Sequence, residues 1–205
     1  MAKLPNPGDP LPVPAQTVLG RVGDLFWRIY ARGAPYPSRW DEFRRYGPLA
    51  TARFDHHAPP ASVKSQAILY ASAEIATAVA EFFQSTRRID RSRRSPWLCG
   101  FRLVRDVTLL DLTGAWPTAA GASMLINSGR RSASRLWSQA IYRDYPQVEG
   151  IFYGSSMHGN RPSIALYERA IDAMPAAPEF DRPLLAPNLE SGLKRMATLL
   201  QYKMR

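Results

Sequence analysis

Residues 67–86 read AILYASAEIATAVAEFFQST, a short run of strand-forming residues followed at once by an apolar pattern of helical spacing. The run 67–71 is rich in branched and aromatic side chains, which predicts a strand. Ser72 offers a side-chain oxygen as a helix cap, and Glu74 adds an acidic charge to the first turn. Apolar residues then recur every three or four positions, at Ile75, Val79, Phe82 and Phe83, so the pattern predicts a helix that runs to about Thr86.

Further strands and helices are predicted on both sides of this stretch. Residues 25–30, LFWRIY, predict a strand that carries Arg28. The segments 97–104 and 107–112 are predicted to pair as a hairpin that turns at Arg105-Asp106. Other apolar patterns predict helices at 119–127 and 134–145 and strands at 149–153 and 163–167. Short strands interspersed with helices predict an α+β (mixed α/β) domain.

Proline clusters divide the chain into three segments. Five prolines fall within residues 1–20, which predicts an extended N-terminal arm, because proline neither propagates a helix nor donates regularly to a sheet. Residues 21–174 form the predicted compact domain. A second proline cluster opens the segment 175–205, which is predicted to be a linker followed by a basic helix with an apolar stripe at Leu193, Met196, Ala197 and Leu200.

The charge of the chain favours a polyanionic partner or substrate. Its 205 residues include 27 lysines and arginines against 17 acids, a formal net charge of +10, and only four of the bases are lysines. Such a charge attracts nucleic acid, an acidic protein or a phosphate-rich small molecule. The bland interpretation is that most of these arginines are solvated surface groups.

Composition excludes several other classes of protein. The single cysteine, Cys99, excludes a disulfide-stapled secreted domain, and with only three histidines the chain lacks ligands for a structural zinc site, so we expect no metal. No apolar run is long enough to cross a bilayer, and residues 1–20 do not form a secretory signal. We therefore expect a cytoplasmic protein without membrane contacts.

Familiar catalytic motifs are missing from the sequence. It has neither a phosphate-binding G-x-x-x-x-G-K-[ST] loop nor a G-x-G-x-x-G turn between strand and helix. The segment 154–158, GSSMH, fails the G-x-S-x-G pattern of serine hydrolases because His158 occupies the last position. A hydrolase that uses Ser156 with a histidine stays open as a minor alternative.

The positive signal is a set of polar residues, each next to a predicted strand or on the helix that follows one. They are Arg28, Arg53, Tyr70, Glu81 and Ser155, and Tyr153 precedes the serine by two positions. Taken singly, each has an ordinary structural explanation: an edge-strand charge, a core tyrosine, a solvated helical carboxylate or a turn serine.

In order and context these residues resemble the RES domain, a toxin family named for its arginine, glutamate and serine. The resemblance covers about residues 21–170. This chain departs from the family pattern at Ala52, where a glycine commonly precedes the arginine, and in its doubled Ser155-Ser156, of which we favour Ser155.

The resemblance implies a fold related to ADP-ribosyltransferases, with short strands around a cleft and flanking helices. It also implies a toxin that breaks the nicotinamide–ribose bond of NAD, with phosphate, water or a protein side chain as acceptor. Such toxins are usually neutralised by an antitoxin with a helix-turn-helix part, so nucleic acid would be contacted only through that partner. The formation of a homo-oligomer stays open.

The residue types suit that chemistry. Arg28 and Arg53 are candidates to grip the pyrophosphate, because guanidinium groups bind phosphate oxygens bidentately. Glu81 is the candidate to stabilise positive charge that develops on the ribose. Tyr70 is expected to stack on a ring of NAD, with Tyr153 in the same binding site. Ser155 is expected to orient the carboxamide or the acceptor.

Two alternatives remain at this stage. The arginine-rich segment 87–94 allows a basic nucleic-acid-binding module, although it lacks the interleaved aromatic residues of a stacking platform. The C-terminal helix is expected to pack on the core, with a dimer or antitoxin surface as its alternative.

Overall fold

The computed structural model describes residues 3–33 and 35–205. Its strands are β1 (Thr17–Gly20), β2 (Leu25–Ala31), β3 (Arg44–Gly47), β4 (Ser62–Ser72), β5 (Arg88–Ile89), β6 (Pro96–Arg102), β7 (Val107–Asp111), β8 (Gly150–Gly154), β9 (Pro162–Tyr167), β10 (Phe180–Pro183) and β11 (Lys203–Met204). Its helices are α1 (Ile75–Phe82), α2 (Trp116–Ala119), α3 (Leu125–Ser128), α4 (Arg131–Asp144) and α5 (Glu190–Leu200).

A mixed sheet organises the molecule. Within the described ranges it has nine strands in the order β1-β7-β8-β9-β4-β2-β6-β10, and β3 pairs with β4. The pair β7–β8 is parallel, and its connection carries α2, α3 and α4, the kind of long crossover that parallel strands require. Strands and helices thus share one domain, and the predicted α+β class is confirmed.

The predicted hairpin between residues 97–104 and 107–112 is wrong. β6 pairs with β2 and β10, whereas β7 pairs with β1 and β8. Arg105 and Asp106 contact other segments instead of closing a turn: the Arg105 guanidinium binds Glu149 and Asp172, and Asp106 accepts a hydrogen bond from the Val22 amide at 2.8 Å. The two strands therefore separate into different parts of the sheet.

The bounds of the first helix also differ from the prediction. Ser72 does not cap α1, because it lies at the end of β4 and its hydroxyl hydrogen-bonds Ser163 at 3.0 Å. The helix ends at Phe82, not Thr86, and the chain turns through Arg87, which has a left-handed φ of 47°. The predicted helix 119–127 is replaced by α2 and α3, which are separated at Gly121, where a φ of +86° favours glycine.

The two ends of the chain contribute to the same structure. Residues 17–20 of the proposed arm form β1 at the sheet edge, Leu11 is buried, and residues 1 and 2 lie outside the described part. At the other end, residues 180–183 of the proposed linker form β10, paired with β6. The division into arm, domain and terminal segment stays a prediction.

Helix α5 packs on the core through its predicted apolar stripe. Leu193 and Ala197 are buried in one cluster with Val79 and Phe83, which belong to α1 and the turn after it. β11 then runs parallel to β5, which fixes the basic segment that follows α1. Within residues 3–33 and 35–205, no helix has the length and apolar character needed to span a membrane.

Candidate active site

A cleft of about 730 Å³ opens where α1, the inner strands and the start of α4 meet. This volume lies within the usual range of small-molecule sites. Five of the six predicted site residues line it: Arg28, Arg53, Tyr70, Glu81 and Tyr153. The sixth, Ser155, lies directly behind Glu81, so the fold brings all six together.

Ser155 is tied to Glu81. It follows the last residue of β8, is fully buried, and its Oγ donates a hydrogen bond to Glu81 Oε1 at 2.5 Å. The same Oγ accepts a hydrogen bond from the Met157 amide at 3.2 Å. Ser156, by contrast, is exposed and lines the cleft. The two adjacent serines thus have different surroundings, and only Ser155 holds the carboxylate.

Glu81 lies in the last turn of α1 and faces a cationic environment. Burial raises the pKa of its carboxyl group above the ordinary value of 4.5, while the Ser155 hydroxyl and the charges of Arg53 and Arg131 act in the opposite direction. A carboxylate held in this way is ready to stabilise a positive charge that forms close to it.

Arg53 reaches across to the start of α4. Its Nη1 donates to the Gly129 carbonyl at 2.6 Å and lies 3.3 Å from Ser134 Oγ. Burial and the nearby charge of Arg131 lower the pKa of this guanidinium, and Glu81 raises it. The neighbouring Phe54 is buried against Tyr153, with 4.7 Å between ring centroids, and this packing anchors the segment that presents Arg53.

Arg28 enters the cleft from the middle of β2. Its Nη1 donates to the Trp40 carbonyl at 3.0 Å, while its buried Nε finds no hydrogen-bond partner among the described residues. Burial lowers the pKa of this guanidinium to about 10, which leaves it charged at neutral pH. An unpartnered buried donor is costly unless a ligand satisfies it.

The two tyrosines contribute neutral hydroxyl groups. Burial raises the pKa of both Tyr70 and Tyr153, so both phenols stay protonated at neutral pH. The Tyr70 hydroxyl is buried and unpartnered within the described part of the chain.

Sequence reasoning missed several residues of the cleft. Four further arginines line it: Arg44, Arg87, Arg94 and Arg131. Among the lining residues within 3–33 and 35–205, Glu81 is the one carboxylate. No sequence pattern joins these arginines, because they come from a strand, two turns and a helix start. The resulting potential favours a ligand with several negative charges and a local positive centre.

Arg44 is held by a buried polar cluster. Its Nη2 bonds Asp55 Oδ2 at 2.8 Å, and Asp55 also accepts hydrogen bonds from the Leu49 amide at 2.7 Å and from the His57 ring. Burial alone would raise the pKa of Asp55, but these hydrogen bonds and the charge of Arg44 lower it to about 2. The carboxylate therefore fixes one wall of the cleft.

The arginine-rich segment 87–94 does not form one continuous basic surface. Arg87 and Arg94 line the cleft, and both have left-handed φ values, 47° and 66°. Arg91 instead donates to the Leu184 carbonyl at 2.8 Å and lies 3.5 Å from Glu190. The segment thus divides between the cleft and the contact with the C-terminal part.

Comparison with known proteins assigns the chain to a family. A model of the RES domain matches residues 25–185. The chain belongs to the RES domain family. The match spans every residue of the site described above, and the family resemblance of the sequence is confirmed.

One solved structure shares the fold of this RES domain. It is the crystal structure of the M. tuberculosis MbcT–MbcA toxin–antitoxin complex, with a TM-score of 0.55 and 14% identity. The alignment covers 86% of this chain and 92% of that chain. No curated protein matches the sequence. Among the described residues, no cluster of three or more histidine, cysteine or acidic side chains has the arrangement of a metal site.

Proposed function

We propose that this RES domain is a toxin that cleaves the nicotinamide–ribose bond of NAD. The observation that carries the proposal is the hydrogen bond from Ser155 to Glu81, in a cleft whose other charged side chains are arginines. NAD combines two phosphate charges with a positive nicotinamide ring attached to a ribose. Its charge pattern matches a cationic cleft with one carboxylate.

The proposed reaction breaks the bond between the ribose C1′ and the nicotinamide nitrogen. The bonding electron pair leaves with nicotinamide, which neutralises its ring and leaves positive charge on the ribose. Glu81 stabilises that charge as it develops, and Ser155 keeps its carboxylate in place. Arg28 and Arg53 hold the pyrophosphate, and Tyr70 and Tyr153 contact the rings or hydroxyls of the substrate.

The acceptor that attacks C1′ is proposed to be phosphate or water. The cleft has more arginines than the two negative charges of a pyrophosphate require, so arginines remain to bind an inorganic phosphate. In that case one phosphate oxygen forms the new bond to C1′; in hydrolysis, water forms it and releases a proton.

A nicotinamide-release assay tests the proposal. Purified wild-type protein is incubated with NAD in buffers with and without phosphate, beside Glu81→Ala and the surface control Glu179→Ala. We expect release by the wild type and by the control, and a loss of release in Glu81→Ala. A wild type that releases no nicotinamide, or a Glu81→Ala variant that is fully active, would refute the proposal.

The same assay with labelled NAD distinguishes the acceptors. Phosphate-dependent release identifies phosphorolysis, and release independent of phosphate identifies hydrolysis. Label that accumulates on protein would identify the alternative reaction, ADP-ribosylation of a protein side chain.

We further propose that an antitoxin with a helix-turn-helix part neutralises this toxin in the cytoplasm. The fold shared with a chain of a toxin–antitoxin complex supports this proposal. Expression of the chain alone should arrest growth of a host cell, and Glu81→Ala should abolish the arrest. Arrest by the inactive variant would contradict a toxicity that depends on NAD.

A further inference from the structure

Gln84 lies just beyond the end of α1 and contacts two charged residues of the cleft, Glu81 and Arg131. Its Nε2 donates to the Glu81 carbonyl at 2.8 Å and lies 3.4 Å from Glu81 Oε2. Its Oε1 accepts a hydrogen bond from Arg131 Nη2 at 2.6 Å. One neutral amide thus bridges the acid on α1 and the arginine that begins α4.

The orientation of this amide follows from its partners. A guanidinium group only donates hydrogen bonds, so it must face the amide oxygen. A carbonyl and a carboxylate oxygen only accept them, so they must face the amide nitrogen. A flipped Gln84 would place donor against donor and acceptor against acceptor.

With Gln84 included, both oxygens of the Glu81 carboxylate have a neighbour that can donate. Ser155 donates to Oε1 from the end of β8, and the Gln84 amide approaches Oε2 from the turn that follows α1. Two donors from different sides restrict rotation of the carboxylate more than one donor does. The hydrogen bond from Arg131 Nη2 to the amide oxygen of Gln84 also restricts the orientation of the Arg131 guanidinium.

We propose that Gln84 is a positioning residue for the cleavage of NAD, which couples the carboxylate of Glu81 to the guanidinium of Arg131. The inference rests on the proposed function. The coupling fixes the distance between the group that stabilises the ribose cation and Arg131, a cleft arginine that can bind a phosphate group of the substrate or the acceptor. In this proposal Gln84 acts through Glu81 and Arg131, the two side chains it contacts.

A simpler role for Gln84 is that of a helix cap, since its amide satisfies the free carbonyl of Glu81 at the end of α1. A cap stabilises the helix and predicts a lower melting temperature on substitution. It does not predict a fall in kcat of Gln84→Met at a temperature where the variant is fully folded. That measurement separates the two roles, because the new charge of Gln84→Glu shifts the titration of Glu81 under either role.

Two substitutions of similar shape test the coupling. Gln84→Met removes both the donor and the acceptor, whereas Gln84→Glu keeps an acceptor for Arg131 and replaces the donor beside Glu81 by a negative charge. The exposed Gln147, in the turn after α4, provides matched controls as Gln147→Met and Gln147→Glu. For each protein, kcat, KM for NAD, the pH profile of kcat and the melting temperature are measured.

We expect both Gln84 variants to lower kcat by about 10- to 100-fold, the usual effect of a misplaced catalytic group. In Gln84→Glu the acid limb of the profile should move upwards by about one pH unit, because a like charge resists ionisation of Glu81. KM should rise in Gln84→Met, which frees Arg131, and stay close to wild type in Gln84→Glu. The Gln147 variants should match wild type in every measurement.

The inference is overturned if Gln84→Met keeps the kcat of an active wild type at a temperature where both proteins are fully folded. It is also overturned if the loss of activity in Gln84→Met only follows its loss of folded protein at the assay temperature. A wild type that releases no nicotinamide is a different result, because it refutes the proposed function and this inference with it.

Discussion

The hydroxyl of Ser155 donates to Glu81 Oε1 across 74 residues of sequence, and this bond joins the end of β8 to α1. A glycine precedes the serine in this turn, where a Cβ on residue 154 would lie 3.2 Å from the Asn160 Cα and 3.1 Å from its Cβ, closer than most side chains pack. The serine is therefore placed by close backbone packing. Its position on the buried side of the carboxylate makes it a support for Glu81.

Ser155→Ala is expected to reduce NAD cleavage more strongly than Ser156→Ala. The first substitution removes the donor to Oε1, which lowers the pKa of Glu81, so its loss should raise that pKa. Because the ionised carboxylate is the active form in the proposed reaction, the acid limb of the pH profile then moves to higher pH. Ser156 forms no hydrogen bond with Glu81 in the described structure and is the matched control.

The measurement is kcat between pH 5 and pH 9 for both variants. We expect kcat of Ser155→Ala to fall on the order of tenfold, the value of one hydrogen bond to a charged group. An equal effect of the two alanines, or a larger effect of Ser156→Ala, would show that Ser155 does not support the carboxylate.

Glu81→Gln is expected to abolish activity while stabilising the fold at neutral pH. Burial raises the pKa of Glu81 above its unfolded value, so the folded state binds the proton more tightly than the unfolded state. Stability from this group is then complete below pH 4.5 and is lost as pH rises through the raised pKa. Glutamine removes this dependence because it carries no charge.

Urea unfolding at several pH values tests this expectation, with Glu179→Gln as a surface control. The stability gain of Glu81→Gln over wild type should grow from pH 4.5 towards neutral pH, and kcat should fall by about a hundredfold or more. A variant that is less stable than wild type at pH 7 would mean that the ionised carboxylate stabilises the fold.

Asp55→Asn is expected to destabilise the protein at neutral pH. Asp55 is fully buried, and hydrogen bonds from His57 and Leu49 and the charge of Arg44 hold its pKa at about 2. Asparagine leaves Arg44 without its carboxylate, which should cost on the order of 3 kcal/mol. Because the pKa of Asp55 is depressed in the folded state, its contribution is present above pH 4 and lost as pH falls towards 2.

The test compares the free energy of unfolding of Asp55→Asn and the control Asp41→Asn from pH 7 down to pH 3. The difference between wild type and Asp55→Asn should shrink below about pH 4. A difference that is constant over this range would indicate lost packing without an electrostatic contribution.

Leu193→Ala is expected to be far more damaging than Leu199→Ala. Leu193 is 2% exposed and packs in one cluster with Val79 of α1, whereas Leu199, on the same helix α5, is 63% exposed. A cavity at Leu193 should cost about 3 kcal/mol, and the loss at Leu199 should stay within about 0.5 kcal/mol. Thermal unfolding measures both.

The same pair tests the alternative of a partner surface on α5. If the exposed side of this helix binds a second copy or an antitoxin, Leu199→Ala should weaken that assembly without a change in melting temperature. Equal stability of the two variants would contradict the packing of α5 on α1.

Sequence patterns predicted the local elements in which apolar residues recur regularly, and they predicted which polar residues belong to the candidate site. The β2 strand, the core of β4, the stripe of α1 and that of α5 follow from the spacing of apolar residues, a consequence of backbone geometry. The six predicted site residues do lie together around one cleft. Their roles in the reaction stay predictions.

Strand pairing and side-chain contacts could not be predicted from the sequence, because they join segments that are far apart in the chain. β6 and β7 are close in sequence but lie apart in the sheet, because β6 pairs with β2 and β10 whereas β7 pairs with β1 and β8. Arg131 and Gln84 carry no motif and meet only because the start of α4 faces the end of α1. The spacing of apolar residues and the sequence motifs relate residues that are close along the chain. The charge of this cleft is instead the sum of side chains from distant segments.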